Sequence, residues 1–360
     1  LLNRSFDLLL CHQRRSVGGS MSEIPKLNQE IMEACQLYVD NLIKPIHSLG
    51  KLEDMAVRMA GILGEVKPAY LNKAVVIFGG DTAVDGENKT KGQLSHAEMK
   101  LVAQGAGPVN VLARQMEMPV YLVDVGLEKD TSDIEGILAK KVIHGTHQGH
   151  PAMDDDVAKA AISLGMSVGK ALAGEGIQAV GLGNIGERSM LSALAVTTAV
   201  MKEDLKKASA RSGFSIQLSA VGDFAKDPVG KLAMVGSAEI AALFGLTVEA
   251  ARRGIMVVFD NAVTGAAVLA AQAVYPEIKN YIFPSVYYEE PVHQMQMQKM
   301  GMKSFLHYDF TEAEGYGSAL GLSLLDAAID MLNQMKTFGS ADVAVAEDGP
   351  GKGRQREDVK

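Results

Sequence analysis

Five consecutive apolar residues, Ala74-Val-Val-Ile-Phe78, run directly into Gly79-Gly80-Asp81. A strand without polar alternation has no face for water, so it must be covered on both sides, as in a parallel sheet. The glycines and the aspartate then fall at its C-terminal end, where such sheets hold ligands. Similar apolar runs recur at 120–125, 178–182, 254–259 and 281–283. Amphipathic stretches predict helices over 95–116, 155–173, 189–210, 229–244, 248–253, 264–274 and 318–336. The alternation predicts an α/β fold: a parallel β-sheet with helices on both faces, Rossmann-like.

The two ends of the chain offer helices without strands. Ile31, Ala34, Cys35, Tyr38 and Leu42 recur at helical spacing, Pro45 and Gly50 break that stretch, and a second helix is predicted over 52–63. We therefore expect residues 23–64 with 318–345 to form a small helical domain built from both chain ends. Residues 65–317 would form the large α/β domain. Residues 1–22 read as a disordered extension, in which Leu1 to Ser20 precede a plausible start at Met21-Ser22-Glu23 and read as non-native or mis-started. Their Arg14 and Arg15, with Asp7 the only acid before Glu23, give a transit peptide as the alternative. Residues 346–360, rich in glycine and charge, read as a disordered, solvated tail.

A net charge of −8 argues against a polyanionic partner, and no basic cluster is interleaved with aromatics, so nucleic acid is not expected. No apolar run approaches membrane length. Cys11 and Cys35 make neither a metal spacing nor a disulfide framework, which suits the reducing cytoplasm.

Four segments fall at predicted strand ends or beside a late helix: Gly79 to Asp85, Gly181 to Ser189, Asp260 with Asn261, and Glu312 to Gly317. In Gly181-Leu-Gly-Asn-Ile-Gly-Glu-Arg-Ser189 a strand passes through glycines into a helix. Backbone N–H groups at such a helix start can hold an anion, and Arg188 and Ser189 could add donors. The glycine pattern is weak by itself, and a plain tight strand-to-helix turn is the competing reading. Glu314, among small residues, reads either as a general base or as an exposed acid favoured by a helix start. His144, His147 and His150 are interrupted by Gly145 and Gly149, so they read as loop histidines. Asp154-Asp155-Asp156 reads as the acidic first turn of a helix. No metal and no cofactor is called for.

Several ordered stretches resemble one family, the nicotinate-nucleotide:dimethylbenzimidazole phosphoribosyltransferases of cobamide (vitamin B12) biosynthesis. Lys44-Pro-Ile-His-Ser-Leu-Gly-Lys-Leu-Glu53 is similar to KPPGSLGxLE, and Val75 to Val84 stands where that family has a strand ending in GDHGV. Gly105 to Ala113 is similar to GGAAxNxLA, Gly236 to Ala241 to GGxEIAA, and Asp260 to Ala267 to DGFIxTAA. Ser285 to His293 stands for SHxSxEPGH, Glu314 to Leu320 for EGTGAAL, and Met335-Lys-Thr-Phe338 for MxTF.

The resemblance implies transfer of the phosphoribosyl group of nicotinate mononucleotide to an aromatic base, with inversion at the anomeric carbon, in a homodimer. It implies Glu314 as the catalytic base. Gly183, Asn184, Gly186, Arg188, Ser189, Asp260, Asn261, Ser285 and Gly315 would lie around the nucleotide and its phosphate. Asp81, Thr82, Glu98, Met99, Tyr287 and Tyr288 would lie around the acceptor.

The chain departs from the family in several places. GEMGIGNTT reads Gly181 to Ser189 here, with Leu182 for the acid, Asn184 for a glycine and Arg188 for a threonine. Lys226 is the nearest candidate for the family's downstream lysine. SHxS has become Ser285-Val-Tyr-Tyr288, and Lys89, His96 and Glu98 replace small and amide residues. Two readings follow. One is an active transferase, with dimethylbenzimidazole or an altered acceptor such as a phenol. The other is a non-catalytic or half-catalytic subunit of a heterodimer with a diverged copy.

Overall fold

The computed structural model of the chain describes residues 23–82, 91–143, 152–202, 207, 224–308 and 314–360. The described residues divide into two compact units, one containing Lys73–Gly321 and the other Pro25–Asn72 with Leu322–Lys360.

The first unit is built on six parallel strands, β1 (Lys73–Gly80), β2 (Val120–Gly126), β3 (Ile137–Ala139), β4 (Ala179–Ile185), β5 (Met256–Phe259) and β6 (Ile282–Pro284). Their order is β3-β2-β1-β4-β5-β6. Every residue of β4, and every residue of β1 after Lys73, is buried, so both pleat faces are covered by other elements. The sheet order reverses between β1 and β4, whose register pairs Val75 with Gly181 and Gly79 with Ile185. In a doubly wound sheet this reversal opens the crevice where ligands bind. A second, two-stranded parallel pair joins β7 (Val286–Tyr287) to β8 (Leu306–His307).

The helices of this unit are α3 (Gln93–Ala103), α4 (Pro108–Gln115), α5 (Asp155–Gly174), α6 (Ser189–Met201), α7 (Pro228–Val235), α8 (Ala238–Arg252), α9 (Ala262–Val274) and α10 (Pro291–Met300). The long helix α11 (Tyr316–Gln334) starts here and continues into the second unit.

The helix predicted over 95–116 is two helices. Gly105 takes φ +76, Pro108 starts α4, and Asn110 Oδ1 accepts the Gly107 N–H at 2.8 Å. Proline supplies no N–H, so it begins a helix more readily than it continues one. The break expected between 244 and 248 lies instead at Gly236-Ser237, and α8 runs unbroken through Thr247. A Cβ on Gly236 would lie 2.7 Å from the Leu232 carbonyl oxygen, so only glycine fits the turn. The described part of the helix expected over 189–210 ends at Met201.

The second unit holds α1 (Gln29–Asp40), α2 (Lys51–Leu63) and the later turns of α11. Asn28 caps α1 by accepting the Ile31 N–H at 3.1 Å. A buried pair, Lys44 Nζ to Glu53 Oε2 at 2.9 Å, braces the connection between α1 and α2, and Glu53 Oε1 takes the Leu49 N–H at 2.9 Å. Residues 346–360, expected as a loose tail, are tied back onto this unit. Arg354 reaches Asp40 at 2.6 Å, Gln355 donates to the Lys44 carbonyl at 3.0 Å, and Thr337 donates to the Val359 carbonyl at 2.8 Å. Composition predicted solvation, but these polar side chains meet partners distant in sequence, which composition does not register.

Candidate active site

The loops leaving β1 and β4 cross at the point where the strand order reverses. The crossing has no room for side chains, since a Cβ on Gly186 would collide with the Gly80 carbonyl oxygen. Asp81 follows that crossing and is buried. Its Oδ1 accepts the Glu187 N–H at 2.8 Å, and its Oδ2 accepts the Glu128 N–H at 2.8 Å and the Ser95 hydroxyl at 3.1 Å. Burial raises the Asp81 pKa, and these donors work against that rise.

Glu187 returns the connection. Its carboxylate accepts the Leu94 N–H at 2.7 Å and the Gly92 N–H at 3.1 Å, capping α3, while its carbonyl accepts the Thr82 N–H at 3.2 Å. Beneath the crossing lies Glu239, fully buried in the first turn of α8. Its Oε1 accepts the Ser189 hydroxyl at 2.8 Å, and a Cβ on Gly80 would collide with its Oε2. Burial pushes its carboxyl up to about 7.

A second set of residues lies at the ends of β4 and β5. Asn261 donates to Asn184 Oδ1 at 3.1 Å, and its own Oδ1 caps α9 through the Val263 and Thr264 N–H groups at 2.8 and 3.0 Å. The carboxylate of Asp260 accepts the Ser318 N–H at 3.2 Å and the Thr264 hydroxyl at 3.2 Å. Asp260 thus holds the first turn of α11, and burial pushes it up to about 7.

The backbone just before α11 carries Glu314 and Gly315. Gly315 takes φ +81, and a Cβ there would come within 3.0 Å of Val75 Cγ1. Glu314 is buried, and a Cβ on Gly107 would lie 2.9 Å from its Oε2. The carboxylate therefore lies beside the residue that precedes α4, where a helix start favours negative charge.

Asp81, Thr82, Gly186 and Ser189 come together at the first crossing, and Gly183, Asn184, Asp260, Asn261 and Gly315 around the second set. Arg188, half-buried, stands at the N-cap of α6 with φ +66. Met99 is buried over Gly79, where a Cβ would meet its Cε at 2.5 Å, and Glu98 is half-buried on the same helix. Ser285 turns its hydroxyl back to the Phe259 carbonyl at 3.0 Å.

Tyr287 and Tyr288 do not share one contact. Tyr287 stacks on His307, with ring centroids 4.6 Å apart, and Tyr288 meets the buried His293 edge-on at 6.1 Å. The histidines at 144, 147 and 150, and Lys89, lie outside the described residues. Sequence reasoning missed Gly107, Glu187, Glu239 and Ser318 as parts of the site. The stretches resembling GGAAxNxLA and GGxEIAA already contained Gly107 and Glu239.

The family model described as phosphoribosyltransferase matches residues 24–343. The chain belongs to this phosphoribosyltransferase family. Two relatives called nicotinate-nucleotide–dimethylbenzimidazole phosphoribosyltransferase are each 32% identical to it. The one from Ruminiclostridium cellulolyticum aligns over 90% of this chain and 97% of its own length. The one from Geobacter sp. strain M21 aligns over 90% and 98%. The crystal structure of the enzyme of that name from Thermus thermophilus superposes with TM-score 0.78 at 26% identity, covering 89% of this chain and all of that one. This phosphoribosyltransferase is therefore an enzyme of the pentosyl-transferring class with the fold of those relatives. Among its described residues no helix is long and apolar enough to cross a membrane.

Proposed function

We propose that this phosphoribosyltransferase moves the phosphoribosyl group of nicotinate mononucleotide to a ring nitrogen of an aromatic base such as dimethylbenzimidazole, in the assembly of a cobamide. The observation that carries the reading is the seat of Glu314. A buried carboxylate is fastened by Gly315 onto Gly183, in the strand that feeds the glycine loop at the sheet reversal.

The geometry supports the following roles. The N-terminus of α6, with the backbone of Gly186 and the Arg188 side chain, takes the nucleotide phosphate. The base nitrogen attacks the anomeric carbon from the face opposite nicotinate, forming the new C–N bond. The old C–N bond breaks with its electron pair going to the nicotinate ring nitrogen, which loses its positive charge. The proton of the attacking base passes to Glu314. Because nicotinate is already a good leaving group, alignment and one proton acceptor supply most of what is needed. Asp260 and Asn261 keep α11 and α9 in place behind the reacting groups.

On this reading the enzyme acts in the cytoplasm as an assembly of two chains. The deciding experiment is turnover of nicotinate mononucleotide with dimethylbenzimidazole by the wild type and Glu314→Gln. The variant keeps the shape and loses the proton acceptor. It is expected to lose about 10²–10⁴-fold in kcat while still binding the nucleotide. Unchanged kcat removes Glu314 from the role, and a wild type inactive with bases and phenols alike removes the reading.

A further inference from the structure

Glu187 belongs to the glycine loop after β4, yet its carboxylate reaches a different part of the site. Its two carboxylate oxygens take the N–H groups of Gly92 and Leu94, at the start of the helix that carries Glu98 and Met99. Gly92 takes φ +69 at the N-cap and has no side chain to cap the helix itself, so a carboxylate from another loop does so. The Glu187 backbone completes the link. Its N–H goes to Asp81, and its carbonyl takes the Thr82 N–H. Asp81 in turn holds Ser95, in the first turn of the same helix. Two carboxylates therefore join the phosphate loop, the end of β1 and the start of α3. The GEMGIGNTT pattern carries asparagine at this position, one atom group shorter and uncharged.

We propose that Glu187 is a positioning residue that couples the two substrate sides, so that a nucleotide ordering the phosphate loop also orders the acceptor-side helix. The assignment rests on the reading of the site given under the proposed function. Charge-assisted bonds to two backbone N–H groups are strong enough to transmit such an effect. An energetic link between two ligands is reciprocal, so each substrate tightens the binding of the other. A glutamate that merely filled space would leave the two binding events independent.

The test measures dimethylbenzimidazole binding to the full chain with and without saturating nicotinate mononucleotide, in the wild type, Glu187→Ala and Glu187→Gln. In the wild type the nucleotide is expected to tighten the acceptor about tenfold. In Glu187→Ala the factor falls to about one, with nucleotide affinity within about threefold of wild type, while Glu187→Gln, keeping one acceptor oxygen, falls between.

Amide hydrogen exchange on the ligand-free protein supplies a readout independent of the substrates. Gly92 and Leu94 are expected to exchange about tenfold faster in Glu187→Ala, with amides in the strands unchanged. Full coupling retained in Glu187→Ala, or a wild type that binds both compounds without coupling, overturns the proposal. So does unchanged exchange at Gly92 and Leu94. A wild type that binds neither compound counts instead against the assigned substrates, and the exchange result still decides whether Glu187 holds the helix.

Discussion

The backbone of Gly315 rests on the backbone of Gly183, so near that a Cβ on Gly183 would lie 2.9 Å from the Gly315 nitrogen and 3.0 Å from the Glu314 carbonyl carbon. Backbone cannot swing aside as the end of a side chain can. Gly183→Ala is therefore expected to push Glu314 off its seat. A displacement of about 1 Å near a reacting centre costs on the order of 100-fold in rate. Steady-state kinetics should show kcat reduced by roughly that factor, with the KM for nicotinate mononucleotide changed far less. Full activity in Gly183→Ala would mean that the glutamate's position is not critical.

Arg188 gives a prediction in which stability and affinity move in opposite directions. Its φ of +66 is a conformation that suits glycine, and a larger residue there is strained by about 1–2 kcal/mol. Arg188→Gly should raise the melting temperature. The same change removes a cation from the start of α6 and should weaken nicotinate mononucleotide about tenfold by calorimetry. Arg188→Ala should lose the affinity without gaining the stability. Equal nucleotide affinity in all three proteins would exclude Arg188 from the phosphate site.

Asp260 touches the first turn of α11 through the Ser318 N–H. Asp260→Ala removes that acceptor, leaving the buried Ser318 N–H without it at a cost of about 1–3 kcal/mol, while the Thr264 hydroxyl keeps the Asn261 carbonyl at 3.2 Å. Loss of stability alone would mark a structural residue. Because Glu314 immediately precedes that turn, the expected result is a larger fall in kcat than in nucleotide affinity. Asp260→Asn, which can still accept the Ser318 N–H, should recover part of the rate.

The buried carboxyl of Glu239 links stability to pH. Its folded pKa, about 7, lies above the ordinary 4.5, so the folded protein holds a proton that the unfolded chain has lost. That contribution is fully present below about 4.5 and is lost as pH rises through about 7. Asp260, also raised to about 7, acts in the same sense, and His293, lowered from 6.5 to about 4, acts in the opposite sense. The effect of Glu239 is therefore read as a difference. Glu239→Gln should gain stability relative to wild type as pH rises from about 4.5 to 7, by a few kcal/mol, and the gain should level off above that. Melting temperatures of both proteins over this range provide the check, and a constant difference would refute it.

The sheet was legible because continuous apolar runs such as Ala74 to Phe78 have no other stable home, and the glycines and acids at their ends marked the crevice. Glu314 was legible only through its neighbours, Gly315 and Gly317, and through the family resemblance. Glu187 was not, since in sequence it is one more residue of a glycine-rich turn. Its meaning depends on Gly92 and Leu94, more than ninety residues earlier, and periodicity records nothing at that range. The bond from Ser189 to Glu239 was hidden for the same reason: it crosses fifty residues. The break at Gly236 was misplaced because apolar residues dominate both flanking helices, so the change of element leaves little mark on the pattern.

The second unit takes Pro25–Asn72 from one end of the chain and Leu322–Lys360 from the other. A ribosome makes α1 and α2 before the six-stranded sheet, and only after the sheet the segment bearing Arg354 and Gln355 that closes on Asp40 and Lys44. Domains fold as units in the order of synthesis. The sheet can thus be complete while the helical unit still waits for Arg354 and Gln355, so its early helices must stay soluble until that segment has been made.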